Sequence, residues 1–230
     1  MTSVNFDRLA DGIIDRISMV AEGVTDVASD AASGIGRLKE FNSVGRDLAA
    51  SGAVTSHGGN MSISDGNKIW ITRTGSQLGH IGASDIIQVD WQPSNADKDA
   101  SMELVVHRAM YHAWAEHQRA IEQPFSGAAI VHTHGLHTTF HSLTKDTLVP
   151  VDSEGLFVLG QFVAVLDVQQ TIASEEVAEL MAGVIEHGDK VAIVRGHGPF
   201  ALAGTLADAH RLVSCLEYSA SMLTLVERRG

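Results

Sequence analysis

The chain contains little cysteine and little positive charge. Its one cysteine, Cys215, excludes a disulfide framework within the chain. The 16 Lys and Arg are outnumbered by 28 Asp and Glu, which gives a formal net charge of -12, and the basic residues form no cluster. Nucleic acids and anionic membrane surfaces are bound through basic patches. We therefore expect neither a nucleic acid nor a membrane as a partner.

Long apolar runs and nucleotide-binding motifs are also missing. No apolar run approaches the roughly 18 residues of a membrane-spanning helix. The N-terminal sequence MTSVNFDRLADGI mixes charges among its apolar residues, unlike a signal peptide. No G-x-G-x-x-G or P-loop sequence follows a predicted strand, which leaves dinucleotide and ATP binding without support. These absences favour a cytoplasmic protein.

Length and apolar periodicity predict one main domain with an extension. A chain of 230 residues that is 44% hydrophobic is long enough for one substantial core. In residues 1–33 apolar side chains recur at steps of three and four, which predicts an amphipathic helical extension. We expect this helix to pack on the domain or on a neighbouring subunit, and we assign residues 34–230 to the main domain.

Helical and strand patterns alternate along the main domain. Helices are predicted at about 37–50, 102–117, 135–144, 174–187 and 206–227. Strands are predicted at about 57–64, 68–72, 86–89, 129–134, 148–151, 162–166, 191–195 and 200–203. This order predicts an α/β fold in which helices cover both faces of a mixed sheet, three layers in all.

Two histidines one residue apart follow an apolar run, and a glycine comes directly after them. Residues i and i+2 of a strand point to the same face, so His132 and His134 aim at one point. Two neutral imidazoles make half of a tetrahedral zinc site, and a catalytic zinc needs a third protein ligand and an open position. His197 lies between Gly196 and Gly198 at a predicted strand end, where the backbone can come close to a metal.

A carboxylate suited to the same site begins a predicted helix. Glu103 precedes His107 by four residues, so the two share a helix face. A carboxylate beside a divalent cation can ligate it at rest and then carry a proton when substrate arrives. A solvated acid in the first turn, favoured by the helix dipole, fits the spacing equally well.

Five short motifs, taken in order from about Arg37 to Leu225, resemble the class II aldolase/adducin family. They are Gly59-Asn60-Met61-Ser62, Thr72-Arg73-Thr74-Gly75, Ser101-Met102-Glu103 with His107 and Tyr111, His132-Thr133-His134, and Gly196-His197-Gly198 with Gly204. The resemblance implies a three-layer αβα sandwich with a mixed, largely antiparallel sheet. It also implies a homotetramer with active sites at subunit boundaries. The implied cofactor is zinc or a similar divalent ion on His132, His134 and His197, with Glu103 as the acid-base group.

The resemblance also implies where a substrate phosphate binds. In the sugar-phosphate aldolases of the family, the corresponding positions are Gly59, Asn60, Thr74, Gly75, Ser101 and Met102. Glycine-turn NH groups, hydroxyls and a helix N-terminus suit a phosphate dianion. Met102 lacks the expected hydroxyl. Arg73 can offset this loss, or the substrate anion is a carboxylate.

A second departure concerns the other acid. Fuculose-phosphate aldolases use a tyrosine about 20 residues beyond the second histidine and another in a C-terminal tail. Here the first position falls at Ser153-Glu154, and no tyrosine follows Tyr218. Glu154 resembles the acid of the methylthioribulose-phosphate dehydratases in the family, but those enzymes have no counterpart of Glu103.

The function expected from these residues is that of a zinc-dependent aldolase-type lyase acting on a small phosphorylated ketose. Cleavage would be a retro-aldol reaction through an enediolate whose charge the metal neutralises. Glu103 would move the proton, and Glu154 or a neighbouring subunit would supply the second acid. The alternatives are a related dehydratase, epimerase or decarboxylase, and a non-catalytic adducin-like interaction module. A pure scaffold has no need of three histidines and a glutamate.

Overall fold

A computed structural model describes residues 33–228 of the chain. The chain divides into two units, Met1–Lys39 and Glu40–Gly230. In the first unit the described residues, 33–39, are helical. The predicted N-terminal helix, including its packing on the domain or on a neighbouring subunit, lies outside the described residues apart from Ser33. The second unit contains the sheet and all of the predicted site residues.

Helices and strands alternate through the second unit. Its helices are α1 (40–50), α2 (Leu104–Ala120), α3 (Leu136–Ser142), α4 (Ser153–Leu159), α5 (Glu175–Glu186) and α6 (Leu206–Glu227). Its strands are β1 (Asn60–Ser64), β2 (Lys68–Thr72), β3 (Ile86–Asp90), β4 (Ala128–His132), β5 (Thr147–Leu148), β6 (Val163–Leu166), β7 (Val191–Val194) and β8 (Gly198–Ala203). Short 3-10 turns lie at Leu78–His80, Ala83–Asp85 and Asn95–Asp99.

The eight strands form one sheet in the order β3-β2-β1-β4-β8-β7-β6-β5. Only the β6–β7 pair among them is parallel, and the other neighbours run antiparallel. The sequence prediction of a mixed, largely antiparallel sheet is therefore confirmed.

Helices cover both faces of this sheet. On one face α2 packs against α5, over a core that includes Ile130, Phe200 and Leu202, all 0% exposed. On the other face α3 and α6 pack against β8, and α4 packs on α6. Burying both faces explains why the central strands β4 and β8 consist entirely of buried residues. The predicted three-layer αβα arrangement is confirmed.

Two local elements differ from the sequence prediction. The short helix α4 was not predicted, although Asp152 caps it by accepting a hydrogen bond from Gly155 N, 2.8 Å away. Seven residues are too few for a helical period to stand out. Glu103 lies at the N-cap position of α2 rather than inside its first turn. This difference frees its side chain to point away from the helix.

The topology brings several chain segments to one end of the central strands. Antiparallel pairing places the start of β1, the ends of β2 and β4, and the start of β8 at this same end of the sheet. The segment that leads into α2 reaches this end of the sheet too, because Ser101 N donates a hydrogen bond to Thr72 O (2.9 Å). The predicted metal and anion ligands come from these segments.

None of the helices over residues 33–228 is long and apolar enough to cross a lipid bilayer.

Candidate active site

Three histidine rings converge where strand β4 ends and strand β8 begins. The Nε2 atom of His132 lies 3.0 Å from Nε2 of His134 and 3.2 Å from Nε2 of His197. One nitrogen from each ring lies within 4.8 Å of the others, and this is the one such group of metal-ligating side chains found among residues 33–228. The structure thus brings together the three ligands predicted from the sequence.

The backbone sets the tautomer of the central ring. Nδ1 of His132 lies 3.0 Å from Pro199 O, and a carbonyl can only accept, so this nitrogen carries the proton. The lone pair of neutral His132 is then on Nε2, facing the other two histidines. The ring stacks on Phe200 at a centroid distance of 3.9 Å, which fixes its plane.

All three rings are held in their neutral forms. Burial, followed by the neighbouring His197 and His134 rings, keeps the pKa of His132 well below its usual value. Burial and then His197 lower the pKa of His134 to about 4. Burial also lowers the pKa of His197. Neutral imidazoles are the protonation state that a metal requires.

The donor set fits a divalent cation. A tetrahedral zinc site with bonds of about 2.0–2.1 Å has donor nitrogens about 3.3–3.4 Å apart, close to the 3.0 and 3.2 Å seen here. At these separations the nitrogen lone pairs repel one another unless a cation or a proton lies between them. Three neutral imidazoles with a carboxylate nearby are a donor set typical of zinc.

Glu103 supplies that carboxylate. Its Oε1 atom lies 3.9 Å from His197 Nε2 and accepts a hydrogen bond from Ala173 N (3.2 Å). Its Oε2 atom is buried and has no hydrogen-bond partner in the described chain. Burial raises the pKa of Glu103 from 4.5 to about 7, and the Ala173 hydrogen bond opposes this shift. A carboxyl group with such a pKa exists in both protonation states near neutral pH.

The backbone that supports Glu103 is strained. Ala173 has a φ of +52°, in the left-handed region that residues other than glycine and asparagine rarely adopt. It directs its N–H at Glu103 Oε1 and leads into α5, which Ser174 caps. Sequence reasoning missed Ala173, and nothing in an alanine signals this conformation.

The segments proposed to bind an anion are held side by side. Thr74 Oγ1 donates to Ala100 O (2.9 Å) and accepts from Met102 N (3.0 Å), which ties the turn at Thr74 and Gly75 to the segment before α2. Ser101 Oγ accepts from Glu103 N at 3.2 Å. Gly75 has a φ of +77° and open space where a Cβ would lie.

Gly59 and Asn60 lie at the start of β1, beside the histidines. Asn60 is opposite His132 in the β1–β4 register. Gly59 has a φ of +78°, and a Cβ there would lie 2.7 Å from His132 O, so only glycine lets the two strands approach. The neighbouring Gly58 is as tight, because a Cβ there would lie 2.7 Å from His134 Nδ1.

The structure does not join Arg73 or Glu154 to this cluster. The Arg73 side chain donates to Ser84 O (3.2 Å) and pairs with Asp99 (3.3 Å). Glu154 lies in the first turn of α4 and contacts Cys215 Sγ at 3.7 Å. No hydrogen bond or ion pair within the described chain links either of them to the histidines, so their predicted roles stay predictions.

A carboxylate that sequence reasoning missed supports the second histidine. Glu217 of α6 accepts hydrogen bonds from His137 N (2.8 Å), Thr138 N (2.9 Å) and Thr138 Oγ1 (2.7 Å). It thereby caps α3, which begins two residues after His134. A Cβ at Gly135 would lie 2.4 Å from Glu217 Oε2, so a side chain there would displace the carboxylate from these hydrogen bonds.

The sequence does contain a signal for this carboxylate. Glu217 lies on the apolar stripe of α6, between buried Val213 and buried Ala220 and Thr224 at steps of three and four. An acid within a buried stripe requires partners, because an unpaired buried charge is costly.

We expect Glu217→Gln to lower the free energy of unfolding by about 1–2 kcal/mol, because the amide keeps the shape but replaces an acceptor with a donor at the helix N-terminus. Metal affinity should fall as well, since the chain between His134 and α3 loses its anchor. Denaturant unfolding and metal titration measure both effects. Glu227→Gln on the same helix is the matched control, because the exposed Glu227 pairs with Lys145 (2.7 Å) and lies 3.9 Å from the buried His141, away from the N-terminus of α3. Equal results for the two variants would contradict a supporting role.

The chain is similar to a known protein family over most of its length. The profile of the Class II Aldolase and Adducin N-terminal domain matches residues 39–224. An L-fuculose phosphate aldolase from Methanocaldococcus jannaschii is 29% identical over 187 residues, which cover 81% of this chain and 95% of that protein. A methylthioribulose-1-phosphate dehydratase from Marinobacter nauticus is 27% identical over 170 residues, which cover 67% and 76% respectively.

Solved structures agree with the sequence comparisons. The crystal structure of L-fuculose-1-phosphate aldolase from Thermus thermophilus superposes on 83% of this chain and 93% of its own, with a TM-score of 0.74 and 29% identity. With a family profile that spans most of its length and an aldolase of the same fold, this chain belongs to the class II aldolase and adducin family and is a class II aldolase-type enzyme.

Proposed function

We propose that the enzyme is a divalent-metal lyase that cleaves a small phosphorylated ketose into two carbonyl-containing fragments. The supporting observation is the cluster of three imidazoles within 4.8 Å of one another, with the carboxylate of Glu103 3.9 Å from His197. The similarity to fuculose-phosphate aldolases favours a ketose 1-phosphate as substrate.

His132, His134 and His197 would hold the cation, and zinc is the metal we expect from three neutral imidazoles. When bound, a divalent cation supplies Lewis-acid polarisation of a substrate carbonyl. The tautomer of His132, set by Pro199 O, and the packing of its ring on Phe200 keep its Nε2 lone pair aimed at the cluster. Such support of a ligand is a usual part of metal sites.

Glu103 is the proposed acid-base group. Retro-aldol cleavage breaks a carbon–carbon bond, removes a proton from a hydroxyl and returns a proton to carbon. Burial raises the pKa of Glu103 in the metal-free chain, which brings the carboxyl group nearer to the range that suits proton transfer near neutral pH. Its Oε2, which has no partner in the described chain, is the atom that exchanges the proton. Glu154, or a residue of a neighbouring subunit, supplies the second acid.

The substrate phosphate is the anion that the Gly59–Asn60 segment, the Thr74–Gly75 turn and Ser101 would bind. Ser101 is nearly buried, 7% exposed, and its Oγ accepts from Glu103 N, so its own hydroxyl proton is available to an anion. Met102, 62% exposed, contributes no hydroxyl. Since Arg73 pairs with Asp99, it would have to exchange that partner to reach the phosphate.

We expect the zinc-loaded enzyme to release dihydroxyacetone phosphate from L-fuculose 1-phosphate or a related ketose 1-phosphate. His197→Ala should lower metal affinity more than about 100-fold, because losing a ligand costs more than losing the support of one, and release should stop. His187→Ala is the matched control, since His187 is exposed and its ring hydrogen-bonds to Gly183 O (2.6 Å) in α5. Metal content by mass spectrometry and a coupled product assay are the measurements. A His197→Ala variant that keeps wild-type metal content would defeat the proposed site.

Dehydration is the second candidate, supported by the dehydratase relative. The same assay separates the two reactions. Loss of water from the ketose phosphate, without release of a three-carbon phosphate, would replace cleavage with dehydration.

The enzyme is also proposed to be a homo-oligomer, with a tetramer favoured. Large apolar side chains are exposed on α3, on α4 and beside them, where isolated monomers rarely carry so many. They are Leu136, Phe140, Leu143, Leu156, Phe157 and Phe162, each at least 48% exposed. A monomer by light scattering would contradict this assembly. A cytoplasmic location stays a prediction.

A further inference from the structure

A buried row of hydrogen bonds runs from the core to the proposed anion site. Tyr111 OH lies 2.7 Å from Ser62 Oγ, and Ser62 Oγ lies 2.7 Å from His107 Nδ1. Nε2 of His107 lies 2.5 Å from Asn60 Oδ1. Tyr111, Ser62 and His107 are 0% exposed, and Asn60 is 6% exposed. The proposed chemistry uses only Asn60.

Counting protons gives this row a direction. Its three contacts need three protons, and Tyr111, Ser62 and neutral His107 carry one each. If Tyr111 donates to Ser62 and Ser62 donates to His107 Nδ1, then His107 Nε2–H donates to Asn60 Oδ1. Every proton then has an acceptor.

The reverse direction leaves a proton without an acceptor. If Asn60 Nδ2 donated to His107 and each group passed its proton inward, Tyr111 OH would have nothing to donate to among residues 33–228. A buried donor without a partner is penalised enough to make that arrangement roughly 5- to 150-fold less populated. Trp91, which neighbours the Tyr111 ring, offers no acceptor because its Nε1 is itself a donor to Ser64 Oγ.

The two titratable groups of the row, Tyr111 and His107, keep their protonation states. Burial raises the pKa of Tyr111, although its hydrogen bond with Ser62 opposes this, so the phenol stays protonated. Burial lowers the pKa of His107 to about 3, so the imidazole stays neutral. No ionisation near neutral pH can reverse the direction.

We propose that His107, with its tautomer fixed by Ser62, is a positioning residue that turns the Asn60 amide so that its Nδ2–H group faces the substrate anion. The proposal rests on the anion-binding role proposed for Asn60. That residue lies opposite His132 in the sheet register, and its Nδ2 has no hydrogen-bond partner among the described residues. With Oδ1 held by His107, the amide presents two donors and no acceptor.

Neutron diffraction from a deuterated crystal of the full chain tests the direction without any substitution. Deuterium on His107 Nε2 and on the exposed side of the Asn60 amide is the expected result. Deuterium on His107 Nδ1 would overturn the proposal whatever reaction the enzyme catalyses.

Two hydroxyl deletions test the consequence for binding, with inorganic phosphate and then the ketose phosphate as probes. Ser62→Ala removes the group that selects the tautomer, so phosphate affinity should fall about tenfold and KM should rise with a smaller change in kcat. Tyr111→Phe removes the other hydroxyl of the Tyr111–Ser62 hydrogen bond. Ser62 can still donate to His107, so the affinity for phosphate should stay within about twofold of wild type.

The results separate the two proposals. If the order of phosphate affinities holds but no ketose phosphate is cleaved, the reaction assignment fails and the positioning role stands. Equal losses in Ser62→Ala and Tyr111→Phe would overturn the positioning role, since a merely structural hydrogen bond loses as much from either side. A wild-type enzyme that binds no inorganic phosphate would overturn it as well.

Discussion

Replacement of Glu103 by glutamine is expected to lower kcat by about 10²–10⁴-fold, the usual contribution of a positioned acid-base group. Glutamine keeps the shape and the hydrogen bond from Ala173 but cannot exchange a proton. Metal content should stay near that of the wild type, because the three histidines remain. Steady-state kinetics with metal analysis measures both quantities. Glu116→Gln is the matched control on the same helix, because Glu116 is exposed and its partner is Arg119, three residues further along the helix.

The same variant isolates the cost of burying the charge. Burial raises the pKa of Glu103 from 4.5 to about 7. Between these values the folded chain retains a proton that the unfolded chain has released. The contribution of Glu103 to stability is therefore full below pH 4.5 and declines as the pH rises, by about 3 kcal/mol in total. Glutamine makes no such contribution.

The difference in unfolding free energy between Glu103→Gln and wild type should thus grow by about 3 kcal/mol across that window in metal-free protein. Comparing the two proteins cancels the opposite trend of His107 and His134, whose lowered pKa values make stability rise with pH. Denaturant unfolding at several pH values provides the measurement. A flat difference, or a kcat within tenfold of wild type, would remove Glu103 from its proposed role.

The three proposed metal ligands could be predicted because each lies in a local sequence pattern. His132 and His134 follow an apolar run with the two-residue period of a strand, and the observed strand β4 ends at His132. His197 lies between glycines, and both have positive φ values, +69° and +145°. The sequence could predict that the sheet is mixed, but not the order of its strands. The pairing of distant strands depends on contacts that no local pattern records.

The residues that support the site were harder to find. Glu217 is 83 positions from His134 in the chain, and its role depends on α6 packing beside α3. Ala173 adopts its left-handed conformation because the surrounding structure imposes it, not because of its own preference. The contact of Arg73 with Asp99 was equally invisible, since a surface ion pair follows from how two loops meet. Long-range packing, rather than local propensity, decides all three.

Replacement of Gly198 by alanine is expected to have the largest effect on the fold and the site together. Its φ is +145°, and a Cβ there would lie 2.1 Å from Thr133 O and 3.3 Å from His134 Cα. Neither neighbour is a flexible side chain that can move away, so the strands β4 and β8 must separate. Backbone strain and overpacking together should lower the free energy of unfolding by about 3 kcal/mol or more.

The displacement would reach all three proposed metal ligands. His197 precedes Gly198 directly, and His134 lies on the backbone that the new methyl group would strike. Pro199, the next residue, accepts the hydrogen bond that sets the tautomer of His132. Metal affinity should therefore fall by more than about 100-fold, even at temperatures where the variant is folded.

Gly204→Ala provides the matched control, because Gly204 follows the same strand and a Cβ there would meet nothing within 4 Å. Thermal unfolding and zinc titration of the two variants give the comparison. The expected order is a near wild-type Gly204→Ala and a destabilised, metal-poor Gly198→Ala. If Gly198→Ala keeps both its stability and its zinc, β4 and β8 can part without disturbing the ligands. The close approach of these two strands would then not be what assembles the three histidines.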